Sequence, residues 1–177
     1  MLINILTFQL GWFACILGAA NNYPWLGVLI STFLLAWHLA GSKHWINEGR
    51  LILLTMLIGA LFDFVPLSLG WISFKPLAFW PSQLPPPWMI FLWAMFATTL
   101  NLSLRWLKPK MLLATAIGGI AGPLAYWSGS KLEAITLIDF RSAMIYLAIG
   151  WAIAVPVLLK IASSNESFTY LIKNGER

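Results

Sequence analysis

From Trp88 to Leu107 the chain runs for about twenty residues with no charge until Arg105, behind the loop Pro81-Ser82-Gln83-Leu84-Pro85-Pro86-Pro87. As a helix that stretch would rise about 30 Å, the thickness of a bilayer core. Three consecutive prolines cannot continue a helix, and each pushes the residue before it away from helical angles. A new helix therefore has to begin here, with Pro87 in its first turn, where a missing N–H costs nothing. Trp88 and Trp106 stand at its two ends. The sequence predicts a membrane-spanning helix with a rigid start, and the rest of the chain can be counted outward from it.

Charge supports this reading. Only 10% of the 177 residues are charged and 60% are hydrophobic, against about 25% charged in soluble domains. Too few polar groups remain to cover a water-facing surface, so the bilayer is the solvent. The net charge of +5 is then no sign of nucleic-acid binding, because basic residues of membrane proteins collect in cytoplasmic loops. The single cysteine, Cys15, allows no internal disulfide.

Six apolar segments follow in order: about Leu2–Ala20, Pro24–Ala40, Leu51–Trp71, Trp88–Leu107, Met111–Trp127 and Arg141–Ala162. The first ends in Gly18-Ala19-Ala20, which resembles a cleavage site. No Lys or Arg precedes it, however, and a retained helix is expected. The connections are read as turns and loops, the longest from Ile72 to Pro87 and a polar one from Ser128 to Asp139. The expected fold is an all-α bundle of six transmembrane helices over residues 1–162, with a cytoplasmic tail at 163–177. With the N-terminus inside, eight Lys and Arg fall on the inner side and three on the outer, accounting for all eleven. The positive-inside rule thus puts both termini in the cytoplasm.

Asp63 is the sharpest chemical signal. A carboxylate within a span costs a few kcal/mol and is expected to face the bundle or a cavity. Pro66 frees the carbonyl of Phe62 beside it. Trp93 and Tyr126 are candidate neighbours at similar depth, with Arg141 reaching from above. Either Asp63 serves a ligand or a proton, or it fixes helix packing. Thr98, Asn101 and Arg105 share a helical face by spacing, and His38 ends the second segment at the same depth. Together they are read as a cleft for an anionic head group held by Arg105. The alternatives are a snorkelling Arg105, an Asn101 that ties two helices, and a His38 that caps one. Gly118 and Gly122 form a GxxxG pair, which lets helices approach closely. No zincin, nucleophile-elbow or phosphate-loop motif occurs, so no catalytic residue, metal or cofactor is assigned.

Several stretches together resemble a family of bacterial inner-membrane proteins, the domain-of-unknown-function family numbered twenty-eight seventy-eight. They are Gly11-Trp12, Gly18-Ala19, Pro24-Trp25-Leu26-Gly27, His38, Asp63, Pro87-Trp88 through Leu92-Trp93 with Thr98-Thr99-Leu100-Asn101, and Gly118 through Tyr126 with Gly129. The resemblance implies a multi-span inner-membrane protein. Its gene neighbourhoods with cyclopropane-fatty-acid-synthase-like methyltransferases imply a link to lipid metabolism and a lipid-modifying enzyme as partner. The proline-rich lead into an aromatic span is also similar to the tryptophan-rich sensory proteins, which have five spans where six are expected here. Three functions stand: a protein that binds or hands over an acyl or isoprenoid lipid, a small proton-coupled transporter using Asp63, and an assembly factor without ligand. The expected ligand-binding residues are His38, Asp63, Trp93, Thr98, Asn101, Arg105 and Tyr126.

Overall fold

The computed structural model describes residues 1–175, with side chains through Ser164. It is all-α: six helices, α1 (Leu2–Ala20), α2 (Pro24–Ala40), α3 (Trp45–Ser68), α4 (Pro87–Leu100), α5 (Met111–Lys131) and α6 (Phe140–Gly175). Of the expected tail, residues 163–175 continue α6, and 176–177 lie outside the described residues. Four helices are long and apolar enough to cross a membrane: α1, α3, α5 and Phe140–Ser164 of α6. The other two, α2 and α4, are shorter.

The start of α4 follows the sequence. Pro85, Pro86 and Pro87 are buried, and Pro87 opens the helix. Its end corrects the expectation of a twenty-residue span, because α4 stops at Leu100 after 14 residues, about 21 Å. A turn and a 3-10 helix, Arg105–Leu107, follow. The cause lies in a distant residue. Asn4 of α1 donates from Nδ2 to the Thr98 carbonyl at 3.1 Å and accepts the Ser103 N–H at 3.3 Å. It satisfies a carbonyl that the helix end would otherwise orphan, and an N–H of the turn that follows. The Thr98 and Thr99 hydroxyls turn back onto the carbonyls of Met95 and Phe96, a local bond that competes with helix continuation. Eleven of the fourteen residues of α4 are buried, so it is the central helix, packed by α1, α2 and α3.

Two expected loops contain strands. β1 (Ile72–Phe74) pairs antiparallel with β2 (Ile135–Leu137), Ile72 opposite Leu137. Ile72 and Ile135 are buried beneath this ribbon, and Phe74 meets the Trp88 ring edge-on at 5.8 Å. The ribbon closes the bundle over the start of α4 and ties the α3 side of the chain to the α5–α6 hairpin. Between β2 and α6, Asp139 accepts the Ser142 N–H at 3.1 Å and caps the helix. At the end of α5, Ala134 donates to the Gly129 carbonyl while Glu133 takes φ +66°. This is a Schellman-type stop, with glutamate where glycine is the usual residue.

Small residues set the helix distances. A Cβ on Gly122 would fall 2.1 Å from Cγ of Trp151, and one on Gly118 would fall 2.4 Å from the Trp151 carbonyl oxygen. The GxxxG pair therefore seats α5 directly on α6. A Cβ on Gly59 would fall 2.0 Å from Cγ of Trp93, so glycine there is what lets the indole lie against α3.

Candidate functional site

Asp63 is completely buried on α3. The Trp93 indole N–H of α4 donates to its Oδ2 at 2.8 Å, and the Tyr126 hydroxyl of α5 bonds its Oδ1. Three helices thus meet at one carboxyl, and both oxygens are satisfied, as burial in an apolar bundle requires. The carbonyl that Pro66 frees is also satisfied: the Tyr146 hydroxyl of α6 donates to the Phe62 oxygen at 2.7 Å. Trp93 stacks on Trp151 with ring centroids 4.5 Å apart and planes 8° from parallel. Phe62 meets both indoles edge-on at 5.4 and 6.0 Å. Such ring contacts each add about 0.5–1.5 kcal/mol beyond the area they bury, so the carboxyl sits in a rigid aromatic frame. Arg141 bonds none of these groups; it is exposed at the start of α6.

The polar residues at the C-terminal end of α4 form a different arrangement from the expected cleft. Thr98 is buried and turned onto its own helix. Asn101 is the C-cap of α4, donating to Glu48 at 2.6 Å and accepting from Lys108 at 2.8 Å. His38 approaches the other Glu48 oxygen at 3.4 Å. His38 and Asn101 therefore do share a site, but Glu48 fills the space between them where a head group was expected. Arg105 lies outside it, exposed in the 3-10 turn, because α4 ends before the face it would have shared with Thr98. Glu48 was missed by sequence reasoning. It lies in the first turn of α3, just across a short loop from His38, and that placement was the available signal.

An open groove lies elsewhere, between α1 and α5 above α4, with a volume of about 930 Å³. Phe13 of α1 and Leu124 and Ala121 of α5 form its walls. Its floor holds Trp93, Tyr126 and Trp151. It runs from Ser103 and Leu107 at one end to Ser128 and Lys131 at the other. Of the expected ligand-binding residues, Trp93 and Tyr126 line it, Asp63 stands directly behind them, and His38, Thr98, Asn101 and Arg105 do not line it. Volumes of about 300–1,000 Å³ with apolar walls and a few polar groups are typical of small-molecule sites. Among the described residues there is no group of three or more His, Cys, Asp or Glu that could hold a metal ion.

A family model described as "Protein of unknown function (DUF2878)" matches residues 1–157, nearly the whole chain. No curated protein and no solved structure matches it.

Proposed function

The chain belongs to the DUF2878 family of unknown function, and from that premise we propose that it is a lipid-linked protein of the bacterial inner membrane, one that holds an acyl or isoprenoid chain and hands it to a lipid-modifying enzyme. The observation that carries this reading is the apolar groove between α1 and α5, open at its side where the bilayer would lie. Its walls offer dispersion contacts and its floor is rigid, so a chain gains surface without the groove having to rearrange. Asp63 acts here through Trp93 and Tyr126, fixing the floor on which the chain lies.

The proposed threading is six spans with both termini cytoplasmic, from the eight-to-three distribution of Lys and Arg. The 14 residues of α4 suffice because other helices sheathe it. Cysteine introduced by Lys110→Cys should resist an impermeant reagent in intact cells and react after permeabilisation. Reaction in intact cells would invert the threading.

A proton carrier would need water at Asp63, whereas that side chain is fully buried with both oxygens bonded. The lipid reading is tested by native mass spectrometry of the purified chain. Wild type and the control Leu29→Trp, on the exposed face of α2, should retain a lipid mass. Ala121→Trp, which fills the groove, should lose it several-fold. Equal retention by all three would refute the reading.

A further inference from the structure

The groove ends at Lys131, and a second, shallower hollow of about 370 Å³ begins on the other side of that residue. Trp127, Lys131 and Ile135 line both, so the two spaces share a wall. The hollow is completed by Ser130, Glu133, Thr136, Leu137 and Phe140. We infer that it receives the headgroup of a zwitterionic aminophospholipid whose acyl chain lies in the groove, with the phosphate on Lys131 and the primary ammonium on Glu133. This rests on the lipid reading of the groove and adds the class of lipid.

The chemistry of the rim selects this headgroup. Lys131 is exposed, and its ammonium lies 5.6 Å from the Trp127 ring centre with no carboxylate in reach among the described residues. It brings three donors to the boundary between groove and hollow, where the phosphate of a lipid would sit if its chain lies in the groove with its head toward Lys131. The hollow beyond offers acceptors. Glu133 is exposed with no bonded partner for its carboxylate among the described residues. The Ser130 hydroxyl donates its hydrogen bond to the Trp127 carbonyl at 2.8 Å, which leaves its oxygen free to accept. Arg141, the residue after Phe140, does not line the hollow. A headgroup that is anionic throughout would meet the Glu133 carboxylate, and like charges repel. A primary ammonium can donate to Glu133 and Ser130, which a quaternary ammonium cannot. Glu133 occupies the left-handed position of the α5 stop, which favours glycine. Its side chain is therefore present at a local conformational cost.

The test uses the full chain in detergent, offered an equimolar mixture of phosphatidylethanolamine, phosphatidylcholine and phosphatidylglycerol with identical acyl chains, read by native mass spectrometry. Phosphatidylethanolamine should be retained about two- to fivefold over the other two, the range open to a solvent-exposed ion pair. Glu133→Gln should abolish that preference while total phospholipid retention persists, and Lys131→Gln should lower all three. Glu133→Gly removes the carboxylate and relieves the backbone, so loss of preference there cannot come from added backbone strain. Phosphatidylcholine retained at or above phosphatidylethanolamine, or an undiminished preference in both Glu133 variants, would overturn the headgroup assignment. If Ala121→Trp still empties the groove in that case, the lipid reading stands and only the headgroup assignment falls. If Ala121→Trp retains lipid, the groove reading itself is wrong.

Discussion

Two carboxyls are each held by a pair of side chains from other helices, one midway along α4 and one at its C-terminal end. Asp63 is completely buried and bonded by Trp93 and Tyr126, both of which form the groove floor. Glu48, with His38 and Asn101, is bonded just as fully, yet its side chain and that of His38 keep 14% and 12% of their surface exposed, and none of the three lines the groove. The chemistry is similar and the consequences differ. At the rim, water can replace a lost partner. In the interior it cannot, so the Asp63 group sets the shape of the surface above it. Polar residues that gather at one depth make a ligand site only when space remains beside them, and at Glu48 the acid itself takes that space.

The contrast can be broken by substitution. Asp63→Ala leaves the Trp93 and Tyr126 donors unpaired in the interior, at about 1–3 kcal/mol each. Unfolding in mixed micelles should show the largest loss of the series, about 2–6 kcal/mol, together with loss of bound lipid. A loss below about 1 kcal/mol would mean that the carboxyl does not organise the floor. Gly59→Ala forces a methyl into the Trp93 ring and should cost about 1–3 kcal/mol with the carboxyl still in place. Stability equal to wild type would show that Trp93 is free to move. Glu48→Ala should cost about 1–2 kcal/mol, less than Asp63→Ala because water can reach the partners it leaves, and leave lipid retention unchanged. A cost matching that of Asp63→Ala would erase the distinction between the two groups. Arg105→Gln should fall within about 0.5 kcal/mol of wild type and keep its lipid. A several-fold drop in retention would restore Arg105 as a head-group ligand.

What could be read in the sequence was local. The bounds of α1 and α2 follow from the apolar runs and from Asn21-Asn22-Tyr23-Pro24 between them. The meeting of Asp63 with Trp93 and Tyr126 follows from counting helix rise, and the free Phe62 carbonyl follows from Pro66. The early end of α4 was not legible, because apolar residues continue through Leu102, Leu104 and Trp106 and the cap comes from Asn4, 94 positions earlier than the Thr98 it bonds. The strands were too short to show alternation: three residues each, recognisable only by pairing across more than sixty positions. The groove is a space between α1 and α5, and no single segment encodes it. The seam at Gly118 and Gly122 pointed to close packing, and it supplies both the contact with α6 and part of the groove lining.

The central claim is that a lipid chain occupies the groove above the Asp63 group. An experimental density map of the protein in lipid nanodiscs tests it most directly. The expected result is one elongated density between α1 and α5, lying on Trp93 and Tyr126 and ending beside Lys131. A map in which Phe13 of α1 packs against Leu124 of α5, leaving no space between them, would contradict it.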